Sequence, residues 1–216
     1  MMNVIIIGPP GAGKGTQAEI ICKELDLAHV SSGDLLRGEV KAKSKLGLEA
    51  EGYMKAGELV PDQLMINMIL NKVKGLKSEG KGFMLDGFPR NIEQAKALDA
   101  SFKEESIEVS SLIALVVGSE EIVERLTSRR VCPVSNKIYN TREADVANCN
   151  CCDESVALIK RKDDEEDVIR QRLRVYTEST EPILGYYREK HELLEIDGSQ
   201  EKDTITALIL KALKSE

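Results

Sequence analysis

The sequence has no long apolar run, no excess of basic residues and only two histidines. A transmembrane helix needs about 18 or more consecutive apolar residues, and the chain contains no such stretch. Residues 1–8 lack the basic segment and the small-residue cleavage site of a secretory signal, so we expect a cytoplasmic protein with no membrane partner. Asp and Glu total 37 against 30 Lys and Arg, and this formal charge of −7 argues against a nucleic-acid partner. Any phosphate site must therefore concentrate positive charge locally.

The order of apolar and amphipathic segments predicts an α/β fold. A length of 216 residues suits one domain that carries insertions, and no internal repeat or Gly/Ser linker interrupts it. Short apolar runs typical of strands occur at residues 3–7, 28–31, 82–85, 112–117 and 193–196. Helical patterns separate them, at residues 16–25, 62–76, 91–100, 120–129, 165–176 and 204–213. This alternation predicts a five-stranded parallel sheet flanked by helices.

Two segments do not follow the alternation. Residues 32–60 are helical in pattern and lie between two predicted strands. Residues 131–160 are rich in Cys, Asn and Asp and contain only short alternating pieces. Because a segment of that length within a compact domain usually has a function of its own, we interpret both as insertions on the core.

The first predicted strand leads into a glycine-rich loop, Gly8–Thr16, which is followed by a helical pattern. The loop satisfies the spacing G-x-x-x-x-G-K, although Gly15 occupies the usual Ser/Thr position and Thr16 follows it. Glycines allow backbone N–H groups to turn towards phosphate oxygens, and the next helix adds its N-terminal donors and dipole. Lys14 can then reach the β and γ phosphates. The pattern predicts a P-loop NTPase-type core.

A second motif, Asp86–Arg90, follows an apolar strand. A strand that ends in Asp is typical of the Mg²⁺-organising carboxylate of P-loop enzymes. Guanidinium groups bind phosphate bidentately and keep their charge. Several arginines of this sequence lie at the ends of the insertions or just after predicted strands. These arginines are Arg37, Arg90, Arg125, Arg129, Arg161 and Arg172.

Together, these motifs resemble the adenylate kinases, in particular the bacterial type with a long lid. The resemblance covers essentially the whole chain and is carried by Gly8–Thr16, Ser31–Arg37, Asp86–Arg90, Arg129-Arg130, and Arg161 through Arg172. It implies the reaction ATP·Mg²⁺ + AMP ⇌ 2 ADP, with ATP, AMP and ADP as the partners of a monomeric enzyme. It also implies a core of residues 1–30, 61–127 and 165–216, an AMP-binding arm of residues 31–60 and a lid of residues 128–164.

The resemblance also implies a role for individual residues. The residues implied for ATP are Gly11, Ala12, Gly13, Lys14, Gly15 and Thr16 around the phosphates, with Arg125, Arg129, Ile138, Tyr139 and Gln200 around the rest of the nucleotide. Those implied for AMP are Ser32, Arg37, Glu58, Leu59, Val60, Gly87, Phe88, Pro89, Arg90, Gln94, Arg161 and Arg172. The implied catalytic cations are Lys14, Arg90, Arg129, Arg161 and Arg172, and Asp86, with Asp34 as a second candidate, would hold Mg²⁺ through water.

The phosphate of AMP is already an anionic nucleophile, so the reaction needs no strong general base. The two histidines agree with this, because His29 and His191 lie outside the phosphate motifs. We interpret both as structural or surface residues.

Four of the five cysteines lie close together in the sequence: Cys132, Cys149, Cys151 and Cys152. In a reducing compartment, clustered thiols indicate metal ligation before disulfides. The zinc-binding members of the resembled family carry C-x-x-C twice, whereas here Ser135 occupies the second cysteine position of the first pair. The second pair can be read in two ways: as Cys149 with Cys152, or as Cys151 with Glu154. The fourth ligand can be a cysteine, Asp153 or Glu154. The sequence is compatible both with a structural zinc site and with four free cysteines.

Two alternatives to adenylate kinase are a UMP/CMP kinase and a non-catalytic nucleotide-binding module. Asn91 after Pro89-Arg90 also occurs in UMP/CMP kinases, but Gln94 and the long 131–160 segment favour adenylate kinase. A non-catalytic module is disfavoured because all five implied catalytic cations are present. A GTPase is disfavoured because the N-K-x-D base-reading motif is missing.

Overall fold

The computed structural model describes residues 1–142, 147–152, 156–190 and 193–214. Its strands are β1 (Asn3–Ile7), β2 (Ala28–Ser31), β3 (Phe83–Asp86), β4 (Ser111–Val116), β5 (Arg129–Val131), β6 (Ile138–Asn140) and β7 (Leu193–Asp197). Its helices are α1 (Lys14–Glu24), α2 (Ser32–Lys41), α3 (Lys45–Ala56), α4 (Asp62–Ser78), α5 (Ile92–Glu104), α6 (Ser119–Thr127), α7 (Glu166–Val175), α8 (Pro182–Arg188) and α9 (Lys202–Lys214). Among these described helices, none is both long and apolar enough to span a membrane.

Five strands form one parallel sheet in the order β2-β3-β1-β4-β7, which confirms the predicted fold class. Strand β1 lies at the centre, with Ile5 opposite Leu85 on one side and Leu112 on the other. All five residues of β1 are buried, as expected for a parallel strand covered on both faces.

The alternation of side chains along β1 divides the core into two layers. Ile5 and Ile7 belong to the layer that also contains Phe83 and buried residues of α4 and α5. Val4 and Ile6 belong to the layer that contains Met84 and buried residues of α1 and α9. Helices therefore cover both faces of the sheet, and only its edges and strand ends are left for a site.

The segment after β2 is helical, as the pattern of residues 32–60 predicted, and it forms the two helices α2 and α3. The Ser31 hydroxyl accepts a hydrogen bond from the Asp34 N–H at 3.3 Å and caps α2. The Ser44 hydroxyl accepts from the Gly47 N–H at 2.9 Å and caps α3. Helix α3 ends at Gly57, whose φ of 75° favours glycine.

The segment after α6 contains a small antiparallel hairpin. Strand β5 pairs with β6, with Arg129 opposite Asn140, and Val131 forms a further antiparallel bridge with Ile159. The predicted helix over residues 120–129 was wrong at its end, because α6 stops at Thr127. Arg129 takes a strand conformation instead, since its backbone pairs with β6 and its side chain binds the buried Asp164.

The predicted helix over residues 165–176 also differs in its ending. Helix α7 stops at Val175, and a π-helical turn, Tyr176–Thr180, connects it to α8. The Thr180 hydroxyl in this turn donates to the Arg90 carbonyl at 2.7 Å. The turn thus joins the end of α7 to the loop after β3.

Two glycines of α3 give a test of the arm's packing. A Cβ at Gly47 would overlap the Glu39 carbonyl of α2, whereas a Cβ at Gly52 would meet nothing within 4 Å. We expect Gly47→Ala to destabilise the protein by about 2 kcal/mol, because the helices must separate. Gly52→Ala should stabilise it by about 0.5–1 kcal/mol through helix propensity. Urea unfolding of both variants checks the opposite signs, and a stabilising Gly47→Ala would contradict the close approach of α2 and α3.

Candidate active site

A cleft of about 1400 Å³ opens at the carboxyl ends of the central strands. It is lined by the glycine-rich loop, the loop after β3, both insertions and the loop after β7. In an open parallel sheet this edge is where ligands bind, because loops and helix N-termini converge there.

The backbone conformation of the glycine-rich loop, Gly8–Thr16, depends on its glycines. Gly11 and Gly13 have φ of 82° and 92°, a region that residues with a Cβ rarely adopt. Gly13 precedes α1, so the first free N–H groups of that helix face the cleft. The loop thus has the backbone shape of an anion cradle.

Lys14 lies within this cradle. Its ammonium donates to the carbonyls of Gly8 and Pro9 at 2.7 and 2.8 Å. Burial, which is opposed by Asp86 and assisted by Arg90, Arg172 and Arg129, lowers the pKa of Lys14 to about 8. An anionic ligand would reverse this, since it would favour the charged ammonium.

Asp86 is the last residue of β3 and lies beside the glycine-rich loop. Its Oδ2 is so close to Gly15 that a Cβ added to this glycine would lie 3.4 Å from that oxygen. The same oxygen lies 3.3 Å from Nε2 of His29 in the neighbouring strand β2. Burial opposes protonation of His29, but its hydrogen bond to Asp86 and the carboxylates nearby raise its pKa overall. Sequence reasoning assigned His29 no contact with a phosphate motif, and only the pairing of β2 with β3 reveals this one.

The Arg90 side chain lies between the arm and the loop after β3. Its Nε donates to the Gly87 carbonyl at 2.7 Å, and its guanidinium lies 3.3 Å from the Ser32 hydroxyl. Ser32 in turn donates to Gly87 at 2.6 Å. Burial and then Arg172 lower the Arg90 pKa to about 10, so the group stays charged at neutral pH.

Two adjacent aspartates hold two of the other cationic side chains. Asp164 has no solvent exposure and binds Arg129 bidentately, through Nε at 2.8 Å and a second nitrogen at 2.5 Å. Asp163 pairs with Arg172 at 2.9 Å. Burial alone would raise the pKa of Asp163, but Arg172 and its neighbours lower it, so its charge is maintained.

Arg161 lines the cleft, and among the described residues no carboxylate lies within ion-pair distance of its guanidinium. Burial and then Arg37 lower its pKa to about 10. Arg37 pairs with Asp34 at 2.5 Å, so the carboxylate of Asp34 is already engaged. Each of the two carboxylates considered for a metal thus has one oxygen atom engaged, Asp86 with His29 and Asp34 with Arg37.

Arg125 lies at the far side of the cleft. It donates to the Gly198 carbonyl at 2.8 Å and to the Glu121 carboxylate at 2.7 Å. Arg142, which follows β6, lies 3.1 Å from the same Glu121 oxygen. Lining the cleft nearby are Ile138, Tyr139 and Gln200.

A smaller pocket of about 60 Å³ lies between α2, α3, α4 and α5. Seven of the predicted AMP residues line it: Arg37, Glu58, Leu59, Val60, Arg90, Gln94 and Arg172. Phe88 differs from this group, because its side chain is buried in the core layer under α4 and α5. Gly87 and Pro89 line the main cleft instead.

The four clustered cysteines come together in space. The Sγ atoms of Cys132, Cys149, Cys151 and Cys152 all lie within 4.8 Å of one another. Tetrahedral zinc with Zn–S bonds of about 2.3 Å requires S···S distances of about 3.8 Å. Cys132 and Cys151 lie 3.5 and 3.8 Å from Cys152, which is close to that value.

Ser135 takes a supporting position at this cluster. Its hydroxyl lies 2.9 Å from the Cys151 Sγ, and its N–H donates to the Cys132 Sγ at 3.4 Å. The alternative ligands considered from the sequence, Asp153 and Glu154, lie outside the described residues, as does His191. The four thiol sulfurs are close enough to one another to hold a metal ion without them.

Comparison with known proteins identifies the family. A model of the adenylate kinase family matches residues 6–192. A curated adenylate kinase from Chloroherpeton thalassium is 42% identical over 215 residues, covering 99% of both chains. One from Brevibacillus brevis is 42% identical over 214 residues, covering 99% of this chain and 100% of the relative. One from Petrotoga mobilis is 40% identical over 217 residues, covering 99% and 98%. The chain belongs to the adenylate kinase family.

The lowered pKa of Lys14 leads to a prediction about proton uptake. With a pKa lowered to about 8, Lys14 is only partly protonated near pH 8 in the ligand-free protein. Polyphosphate binding favours the ammonium and should therefore be accompanied by proton uptake at this pH. Calorimetric titration with ATP in two buffers of different ionisation enthalpy measures this uptake. Lys14→Arg, which keeps the charge but does not titrate, should abolish it. Equal heats in both buffers for the unaltered protein would contradict the assignment.

Proposed function

We propose that the protein transfers the γ-phosphoryl group of ATP reversibly to AMP and gives two ADP. The main support is one observation: a glycine-rich anion cradle and a separate group of partly buried arginines face the same cleft. A single ligand usually occupies about 300–1000 Å³, so a cleft of about 1400 Å³ has room for two nucleotides. The family relationship supports the same reaction.

Phosphoryl transfer proceeds in line through a loose transition state, and catalysis consists mainly of positioning and charge neutralisation. Gly11–Thr16 would cradle the ATP phosphates, with the Lys14 ammonium on the transferring group. Arg90 would bind the AMP phosphate, because Gly87 and Ser32 already orient its guanidinium. Arg129, Arg161 and Arg172 would surround the phosphoryl group between the two nucleotides.

The remaining predicted contacts concern the two bases. Arg125 would stack on the ATP adenine, with Gln200, Ile138 and Tyr139 nearby in the cleft lining. Gln94 and the residues of the smaller pocket would hold the AMP base. Cation–aromatic stacking of a guanidinium on adenine suits a pocket that is open on one side.

We propose the same division of the chain as the sequence indicated: a core of residues 1–30, 61–127 and 165–216, an AMP-binding arm of residues 31–60 and a lid of residues 128–164. Closure of the arm and lid over the cleft would exclude water, which otherwise competes with AMP for the γ-phosphoryl group. A monomeric state and a cytoplasmic location stay predictions of the sequence.

The donor set of the cleft fits Mg²⁺. Asp86 offers hard carboxylate oxygens beside the glycine-rich loop, and Mg²⁺ is commonly held by one carboxylate through water together with substrate phosphates. When bound, Mg²⁺ would neutralise charge on the ATP phosphates. His29 would help to keep the Asp86 carboxylate in place through its hydrogen bond.

We also propose a structural zinc ion held by Cys132, Cys149, Cys151 and Cys152. The support is that the four Sγ atoms all lie within 4.8 Å of one another, and that tetrahedral zinc takes four thiolate ligands. This ion would fold the lid rather than take part in the chemistry. The Tyr139 hydroxyl donates to the Asn150 side chain at 2.7 Å and accepts from the Asn150 N–H, so the cysteine-rich loop and the cleft-lining strand β6 are tied together.

A coupled ADP-production assay with ATP and each of AMP, GMP, CMP and UMP tests the function. We expect AMP to be preferred by a wide margin. Arg90→Ala should lower kcat/KM for AMP about 100-fold or more, because a charged contact made to the reacting phosphate is lost. Arg188→Ala, which removes an exposed arginine paired with Glu195, should change little. Preference for UMP or CMP would indicate the pyrimidine kinase instead, and no turnover with any acceptor would indicate the non-catalytic module.

Metal analysis of the purified protein tests the zinc proposal. We expect about one zinc per chain, and chelation should lower the melting temperature by roughly 5 °C or more because the lid loses its metal. Cys132→Ser should lower zinc content and melting temperature together, whereas Cys22→Ala, on α1, should leave zinc content unchanged. Substoichiometric zinc with a melting curve indifferent to chelator would show that the cysteines are free.

A further inference from the structure

A buried hydrogen-bond network fixes the side-chain amide of Gln94, which is 1% exposed. Its Oε1 accepts from the backbone N–H of Arg90 at 2.7 Å. Its Nε2 donates to Oδ1 of Asp62 at 2.8 Å. A carboxylate only accepts and a backbone N–H only donates, so the two ends of the amide cannot exchange places without losing both bonds.

The same Asp62 oxygen holds a second amide. Asn91 donates its Nδ2 to Oδ1 of Asp62 at 2.8 Å, and its Oδ1 accepts from the backbone N–H of Gln94 at 2.8 Å. Asn91 is thereby the N-cap of α5, while Asp62 is the first residue of α4. One carboxylate thus sets the position of Gln94 from both its side chain and its backbone.

Gln94 lines the smaller pocket, together with apolar side chains such as Leu36, Met54 and Met65, whereas Asp62 does not line it. Asp62 lies behind Gln94 and reaches a ligand only through that amide. An amide has two N–H groups and two lone pairs, so one N–H and one lone pair of Gln94 stay available after the network is formed.

The order of donor and acceptor decides which base this amide can pair with. Adenine has a donor at N6 next to an acceptor at N1, whereas guanine has an acceptor at O6 next to a donor at N1. A glutamine that is free to rotate by 180° can satisfy either edge. Here rotation would place Oε1 against the Asp62 carboxylate and the NH₂ group against the Arg90 N–H. Such unsatisfied contacts in a buried site are costly.

We infer that Asp62 is a specificity-determining positioning residue, which favours adenine over guanine at the acceptor site by locking the orientation of the Gln94 amide. This inference rests on the proposed function, because it assumes that the smaller pocket holds the base of AMP. Asp62 acts through Gln94 and makes no contact with the nucleotide.

The test compares kcat/KM for AMP and GMP in Asp62→Ser and Asp62→Asn. Serine is too short to hold the amide, and asparagine can present either a donor or an acceptor to it. Both variants should lower the AMP-to-GMP ratio about tenfold or more, the equivalent of one hydrogen bond to a charged group. The change should appear mainly in KM for the acceptor, with KM for ATP unaltered. Glu93→Gln is the matched control, since Glu93 is another carboxylate in the first turn of a helix and its side chain is 75% exposed.

A double-mutant cycle separates positioning from a general effect on folding. In the background of Gln94→Met, Asp62→Ser should change the AMP-to-GMP ratio less than twofold, because the amide on which it acts is gone. An unaltered ratio in both Asp62 variants, or an equal effect in the Gln94→Met background, would overturn the inference. If the unaltered protein does not prefer AMP, the proposed function itself fails, and that result is visible before any variant is made.

Discussion

Positive charges that converge in a poorly hydrated cleft repel one another, and the arrangement of this cleft depends on how that repulsion is balanced. Burial and mutual repulsion lower the pKa values of Lys14, Arg90, Arg161 and Arg172. The carboxylates of Asp86, Asp163 and Asp164 counter this effect, and Asp164 does so without any solvent exposure. The cleft is thus charged before any nucleotide arrives, and the field needed for phosphate is present in advance.

The parallel sheet explains why these charges can meet at all. The loops after β1, β3 and β7, which line the cleft, each leave the carboxyl end of a strand. The buried strand β1 sets the position of the glycine-rich loop, and β3 sets that of Asp86 and Arg90. A chain with a net charge of −7 can therefore bind polyanions, because several of its cationic side chains line one cleft at the edge of the sheet.

Local motifs made much of this predictable. The motifs Gly8–Thr16 and Asp86–Arg90 are each a continuous stretch of sequence, and their composition alone predicts a turn, a helix start and a strand end. The five strands were predictable for the same reason, since a buried parallel strand is a short apolar run. What the sequence could not reveal are pairs of residues distant along the chain. His29 contacts Asp86 only because β2 and β3 are neighbours, and Thr180 contacts Arg90 through a turn of π-helix that has no simple sequence signal. The cysteine cluster is similar, since spacing alone left the fourth ligand undecided and only the folded loop brings Cys151 beside Ser135.

The Glu121 carboxylate forms ion pairs with both Arg125 and Arg142, and it thereby connects two parts of the molecule. Arg125 belongs to α6 beside the nucleotide cleft, and Arg142 follows the hairpin of β5 and β6. Because both guanidinium groups draw on the same oxygen, a ligand that changes how tightly Arg125 holds Glu121 changes the stability of the Arg142 contact. Thermodynamic linkage would make such a coupling reciprocal: if a ligand of the cleft weakens the Arg142 contact, loss of that contact alters the affinity of the cleft by the same factor.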